Sequence, residues 1–552
     1  MQGFYVIIKF MKRLLITIVS LFAFSLSVSA AGGDLKSRFE YQAPEAIIIT
    51  HPNINSRVTV SPRISLLGAS DPNFPMYING EEIQTTGNGF FTMYTELELG
   101  ENELLFENGN NSYGMTILRN QPGPSESTEL SYYHVEVYGS TEYDSISRFP
   151  NYNNDAVMRT PLAKGTTFRI LAERGDCYML EDGTYVFKNN VYQLDRRVPP
   201  VVVSGGEVKS QDGGVSVAFN VSDYPLYDIE LVGGRVILSM YAGSDESDLR
   251  ADGTYIKDAS KALNNGVLTY EIELVDTPVG YFVDFSSGVM TVEFRSVPKS
   301  VSGATVLIDA GHGGIDPGAL GPPGDFGAME KDFNLYVAQR TRDYLEKQGI
   351  NVVMVRDEDV YIPIMDRVEY FALKPDISVC IHANSMPLSS NFAGEQGPLM
   401  FYTLDLSERA ADDMMKIIAE RTENDYAAPR RQNFAMARYT GGPSMLFEMG
   451  FLCNPEDYER MLDTDYLDKM GDALGESILQ YLNGTASGEP AENDILPPDV
   501  PVGENEYIYE PTVPADAAPR ENPLNTQVLL IVGVFVVLGV GAALYLPNRR
   551  VF

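Results

Sequence analysis

From residue 305 onward the apolar positions switch between two periods. Short runs at 305–308, 351–355, 377–381, 399–402 and 444–447 are continuous or nearly continuous in Val, Ile, Leu, Met and Phe and read as buried strands. Between them Phe333, Tyr336, Val337, Tyr344 and Leu345 recur at helical spacing after Glu330, and Gly349 stands where a helix would stop. Residues 363–373, 407–422 and 466–482 predict three more helices. Strand and helix in alternation predict an α/β domain with a mostly parallel twisted sheet over 302–484.

Upstream, period two prevails. Ile64-Ser65-Leu66-Leu67, Met76-Tyr77-Ile78 and Leu104-Leu105-Phe106 predict short strands, and Asn79-Gly80 is a two-residue hairpin signal. Met93, Thr95, Leu97 and Leu99 alternate onto one face, so residues 40–122 predict a β-sandwich. A smaller β domain is predicted over 128–198, around Phe168-Arg169-Ile170-Leu171 and Tyr178-Met179-Leu180. A third, over 200–298, rests on the alternation in Val215-Ser216-Val217-Ala218-Phe219 and Leu268-Thr269-Tyr270-Glu271-Ile272. The fold class expected is therefore multidomain, with all-β units ahead of a C-terminal α/β catalytic domain.

The two ends change that picture. Lys9, Lys12 and Arg13 precede an apolar run from Leu14 to Ala30, and Val28-Ser29-Ala30 offers a small-residue cleavage site, so residues 1–30 are expected to be a signal peptide. Residues 485–526 are acidic and proline-rich, with Arg520 as their single basic residue, and are expected to be an extended linker. The uncharged stretch from Val528 to Leu546 predicts a transmembrane helix over 527–546. Arg549 and Arg550 beyond it place 547–552 in the cytoplasm, which makes the expected localisation the cell membrane, single-pass, with the bulk of the chain facing the cell wall.

Charge and cysteine content exclude some functions. With 41 Lys plus Arg against 76 Asp plus Glu, the formal net charge of -35 gives no basic field for a polyphosphate, so nucleic acid is not an expected partner. Cys177, Cys380 and Cys453 are too few and too scattered for a disulfide framework or a thiolate metal cluster. They are expected to be buried hydrophobes.

The chain has four histidines, and two of them, His312 and His382, directly follow predicted strands. Side chains at the carboxyl ends of parallel strands converge on one crevice. Two carboxylates can join them there: Glu330, which opens a helix, and Glu448, expected just past the last strand. Two imidazoles and a carboxylate, with water in the fourth position, form the donor set of a hydrolytic zinc site. The spacings alone leave structural histidines as the default. His51 and His134 have no such neighbours and are expected to be structural.

Five motifs alter that weighting: Ile308-Asp309-Ala310-Gly311-His312-Gly313-Gly314 with Asp316-Pro317-Gly318-Ala319; Glu330-Lys331-Asp332-Phe333-Asn334-Leu335; Val355-Arg356-Asp357-Glu358-Asp359; Ser378-Val379-Cys380-Ile381-His382-Ala383-Asn384; and Phe447-Glu448-Met449-Gly450-Phe451-Leu452-Cys453-Asn454. In this order they resemble the zinc-dependent type 3 family of N-acetylmuramoyl-L-alanine amidases. Ala310 stands where many members have proline. The resemblance implies a Zn²⁺ ion held by His312, Glu330 and His382, with Glu448 as the catalytic carboxylate. It implies peptidoglycan as substrate and cleavage between the muramic acid lactyl group and L-alanine. The alternatives are a zinc peptidase cutting within the stem peptide and a catalytically silent surface-binding protein. Asp309 and Asn384 are candidates to orient ligands, and Arg356 and Asp359 are expected to pair with each other. The β units resemble, in order, bacterial immunoglobulin-like modules, a bacterial SH3-type barrel and the AMIN domains of envelope amidases. An isolated fragment of about 300–484 is expected to act without an activator.

Overall fold

The structure is a computed structural model that describes residues 35–486, apart from 123–128, 153–156, 212–213, 233, 297 and 299. Its C-terminal part is built on a six-stranded sheet. The strands are Thr305–Ala310 (β1), Asn351–Met354 (β2), Ile377–Asn384 (β3), Leu399–Tyr402 (β4), Arg430–Arg431 (β5) and Ser444–Phe451 (β6), in the order β2-β1-β3-β6-β4-β5. β1 runs parallel to β2 and β3, and β3 is parallel to β6, whereas β4 runs antiparallel to β6. The central strands are apolar on both faces because helices cover them.

Glu330–Lys347 (α1), Glu408–Thr422 (α2) and Thr464–Ala486 (α3) bury Phe333, Val337, Met414, Ile418, Leu474 and Ile478 against the sheet in one large core. Glu330 and Asp332 stand in the first turn of α1, where the helix dipole favours anions, and the Asp332 carboxylate accepts from the Met329 N–H at 3.1 Å. Two elements differ from the sequence reading. Residues 364–373 form a short α turn, Ile364–Val368, continued as 3₁₀ helix to Leu373, because Lys374 takes a left-handed conformation that ends the run. An additional helix, Pro455–Met461, opens on Asn454, whose side chain accepts from the N–H groups of Glu456 and Asp457, with proline in the first turn.

The strands of the expected catalytic sheet also run further than their apolar runs suggested. β3 extends through His382 to Asn384, and β6 through Glu448 to Phe451. Both are held on two sides, β6 by β3 and β4, so pairing continues past the point where the apolar pattern breaks. Glu448 is thus within the last strand and not beyond it.

The residues ahead of this domain form β-sheets. Ile48–His51, Arg63–Ala69 and Phe90–Glu96 make a three-stranded sheet facing a five-stranded one that includes Met76–Ile78, Glu81–Ile83, Gly100–Asn108 and Asn111–Arg119. Met76–Ile78 and Glu81–Ile83 pair across Asn79 and Gly80, both with positive φ, as a two-residue turn matched to strand twist requires. Leu99 is exposed and belongs to the following turn, not to the core face. A five-stranded sheet follows within 131–193, and sheets of five and four strands occupy 202–296. Phe168 and Ile170 of the former share one core with Val203, Phe219 and Tyr270 of the latter, so these two segments pack face to face. Arg148, buried between them, is ion-paired to Asp182 and, at 2.9 Å, to Asp228.

The expected fold class needs correction at one point. The predicted transmembrane helix at 527–546 lies outside the described residues, as do the signal peptide at 1–30 and most of the linker at 485–526. Among the described residues no helix is long and apolar enough to cross a membrane. The transmembrane element, the membrane as partner and the cell-membrane localisation that depended on it are therefore withdrawn.

The β-rich part packs directly on the α/β part. Phe39, Ala69 and Phe90 are buried in the same core as Phe333 and Tyr458 of the α/β part. Phe39 stacks on Phe333 with ring centroids 5.1 Å apart, and Phe90 meets Tyr458 edge-on at 5.2 Å. A fragment beginning near residue 300 would expose that apolar surface to water.

Candidate active site

β1 ends at Ala310, and the chain turns through Gly311, His312, Gly313 and Gly314 over the carboxyl edge of the sheet. His312 has a φ of 59°, a left-handed conformation that non-glycine residues seldom adopt. Gly313 cannot be larger, since a Cβ there would lie 2.2 Å from the Val360 carbonyl oxygen. The turn is held from below by two buried guanidinium groups. Arg367 donates to the carbonyl oxygens of Ala310 at 2.9 Å and His312 at 2.7 Å, and pairs with Asp309 at 2.6 Å. Arg356 donates to the carbonyl oxygens of Ala310 at 2.7 Å, Gly311 at 2.8 Å and Lys331 at 3.0 Å.

Arg356 and Asp359, expected to pair, have separate tasks. Asp359 accepts from the Gly314 N–H at 2.7 Å and from the Lys331 ammonium at 3.0 Å, and is also paired to Arg38. The guanidinium of Arg356 is used on carbonyls because the strand end it supports has unpaired C=O groups. Asp309 does not reach the histidines: its partner is Arg367, with Cys380 Sγ 3.2 Å away. Asn384 accepts from the N–H of Ser385, a loop bond.

The structure brings His312, Glu330 and His382 together, with one ligand atom from each lying within 4.8 Å of the others. A single oxygen, Oε1 of Glu330, is 3.1 Å from His312 Nε2 and 2.8 Å from His382 Nδ1. The other Glu330 oxygen accepts from the Ala319 N–H at 2.7 Å. On the far side of the ring, His312 Nδ1 is 2.9 Å from Asp316 Oδ2, the kind of carboxylate contact that fixes a histidine's tautomer and orientation. Asp316 was quoted in a motif but given no role; a carboxylate four residues from a histidine across a glycine turn was the available signal. Asn334, one turn along α1 from Glu330, donates to the Gly311 carbonyl at 3.1 Å.

Charge in this cluster is strongly coupled. Burial opposes protonation of His312, but Glu330 and Asp316 more than offset it and lift the imidazole to about 10. Glu330 is also penalised by burial, yet the two imidazoles hold its carboxyl well below the usual carboxylate range. Two neutral imidazoles with one carboxylate match the preferred donors of zinc. Backbone has been kept clear of that space. A Cβ on Gly318 would lie 2.4 Å from Glu330 Oε2, and one on Gly311 would lie 2.3 Å from the His382 ring. These residues fit a zinc ion.

Glu448 stands in register with His382 across β3 and β6. It is 7% exposed, and its Oε2 is buried without a hydrogen-bond partner among the described residues. Burial, with the Glu330 charge adding to it and His312 opposing, pushes its carboxyl well above the usual carboxylate range. A buried carboxyl with an unused oxygen beside a cation site is poised to exchange protons. His51 is not part of the cluster; it is held against Phe392, with ring centroids 6.2 Å apart. The cysteines are free and buried.

Residues 306–480 match the family model described as N-acetylmuramoyl-L-alanine amidase. The chain is 32% identical over 188 residues to the uncharacterized protein YqiI of Bacillus subtilis, a match covering 33% of this chain and 87% of that protein. It is 28% identical over 183 residues to the probable cell wall amidase LytH of Staphylococcus epidermidis, covering 33% of this chain and 60% of LytH. Among solved structures, the catalytic domain of CwlV, an N-acetylmuramoyl-L-alanine amidase from Bacillus (Paenibacillus) polymyxa, is 31% identical with a TM-score of 0.31, covering 33% of this chain and 98% of that one.

Proposed function

Because the chain belongs to the N-acetylmuramoyl-L-alanine amidase family, we propose that it hydrolyses the amide bond between N-acetylmuramic acid and L-alanine in peptidoglycan. His312, Glu330 and His382 would hold one Zn²⁺ ion, and Glu448 is the general base. The observation that carries this reading is the unpartnered, buried Oε2 of Glu448 beside three converging donors. The domain division at 40–122, 128–198, 200–298 and 302–484 is part of the same proposal.

A zinc ion at this site would lower the pKa of water and polarise the amide carbonyl. The chain's own residues do the rest. Asp316 holds the His312 ring by Nδ1, so that Nε2 faces the cluster. Glu448 accepts a proton at Oε2 from the attacking water. As the C–N bond breaks, it returns that proton to the L-alanine nitrogen, and the remaining water proton leaves the new lactyl acid for the amine, giving a lactyl carboxylate and an L-alanine ammonium. Burial keeps bulk water from competing for the proton.

Zinc-loaded full-length protein incubated with purified peptidoglycan should release stem peptides with free L-alanine amino termini, together with glycan bearing intact muramic acid, as read by mass spectrometry. New termini inside the stem peptide would indicate the peptidase alternative. No new termini at all would favour the silent binding protein.

A further inference from the structure

The loop between β3 and β4, residues 385–398, has its ends at the two strands that carry the chemistry. It starts three residues after His382, and it delivers Leu399 in register with Glu448. Loops leaving the carboxyl edge of parallel strands form the walls of the crevice there. Its far end is held from within the α/β part, where Asn454 donates to the carbonyls of Phe392 and Glu395 and Asp457 accepts from the Gly397 N–H, and its near end is held from about 300 residues upstream. The strand Arg63–Ala69 pairs with Ile48–His51 only from Leu67 to Ala69, so its edge at Ser65 has no strand partner on that side.

The loop fills that edge. Ser65 N–H donates to the Leu388 carbonyl at 2.7 Å, Ser65 Oγ donates to the Ser390 carbonyl at 2.7 Å, and Phe392 N–H donates to Ser65 Oγ at 3.2 Å. From the neighbouring strand, the Tyr94 hydroxyl donates to the Ser389 carbonyl at 2.8 Å. Beneath these bonds Leu67 packs with Phe392, Cys453 and Phe451, the last residue of β6. Ser65 is fully buried, so its side chain has no other function at the surface.

We propose that Ser65 and Tyr94 are positioning residues that fix the 385–398 loop as a wall of the groove for the glycan-linked stem peptide. The inference rests on the amidase reading above. A wall set before binding spares the substrate the cost of ordering it. The reacting groups sit on β3, β6, α1 and the glycine turn, none of which Ser65 or Tyr94 hydrogen-bonds; their partners across this contact are Leu388, Ser389, Ser390 and Phe392. Loosening the loop therefore weakens substrate binding and leaves the chemical step alone.

The test uses zinc-loaded full-length protein with Tyr94→Phe, Ser65→Ala and the double variant, assayed on soluble muropeptides, with hydrogen exchange read at the loop amides. The double variant should raise KM by about five- to twentyfold, with kcat within about twofold of wild type. The Phe392 amide should exchange faster, while zinc content is unchanged. Tyr94→Phe, at a partly exposed position, gives the same direction of change if Ser65→Ala proves unstable. Faster exchange with an unchanged KM would overturn the proposal. So would an unchanged exchange rate, or a fall in kcat at constant KM. Failure of the wild type to cut muropeptides at all would overturn the amidase reading and this inference with it, whereas an unaltered KM in an active variant overturns this inference alone.

Discussion

Glu448→Gln is expected to lower kcat on muropeptides by about 10³-fold, within the ~10²–10⁴ range that proton transfer by a positioned side chain supplies. The glutamine keeps the shape and polarity of the side chain but cannot take a proton from water. Its effect on stability has the opposite sign. Burial raises the Glu448 carboxyl well above its unfolded value. Its stabilising contribution is therefore present in full below the unfolded pKa and is lost as pH rises through the folded one. Glutamine has no charge to bury. In the metal-free protein the variant should melt at or above the wild-type temperature at pH 8, with the difference shrinking towards pH 5. Turnover within tenfold of wild type would remove Glu448 from the proton path.

The second large effect is structural. Arg367→Met should cost about 3–5 kcal/mol of stability, the range for removing one partner of a buried ion pair. Arg367 and Asp309 are 4% and 1% exposed, so the remaining Asp309 carboxylate could not recover its hydration. The same guanidinium holds the His312 carbonyl, and with it a backbone conformation at φ 59° that the turn must keep. The variant should accordingly bind zinc about 10–100-fold more weakly, as loss of a residue that orients a ligand does. Adding Asp309→Asn should restore part of the stability, because the unpaired charge is then gone. It should leave zinc affinity low, because the turn is still unsupported. Chemical denaturation and zinc titration of the three proteins measure both quantities. Equal stability of Arg367→Met and wild type would contradict the role given to this pair.

The sequence made His312, Glu330, His382 and Glu448 visible because three of them adjoin apolar runs and the fourth opens a helix. Those patterns place side chains at one sheet edge with no tertiary information. What surrounds them was less visible. Asp309, one residue past a predicted strand, looks the same whether it faces a histidine or a guanidinium; only the fold brings Arg367 to it. Arg356 and Asp359 are three apart, a spacing that suggests a pair. Yet the carbonyls of Ala310 and Gly311 compete for the guanidinium, and the Gly314 N–H for the carboxylate. The helix at Pro455–Met461 carried its signal in Asn454-Pro455, a cap followed by proline at the first turn, which an apolar periodicity search passes over.

The β-units were harder for a different reason. Alternation identifies a strand and its buried face but not the neighbour that covers it. Phe39 and Phe90 read as ordinary apolar positions, and nothing local says that their partners are Phe333 and Tyr458. The same holds for the shared core of 131–193 and 202–296. The membrane span was drawn from an uncharged apolar stretch after a linker, followed by Arg549 and Arg550, in a segment the described residues do not include.

A crystal structure of the zinc-loaded full-length protein, with anomalous data collected at the zinc edge, is the direct test of the centre. One peak is predicted about 2.0–2.2 Å from a nitrogen of His312, a nitrogen of His382 and an oxygen of Glu330, with Glu448 nearby but not bound to the metal. A peak coordinated by Glu448, a peak away from these residues, or none at saturating zinc would contradict it.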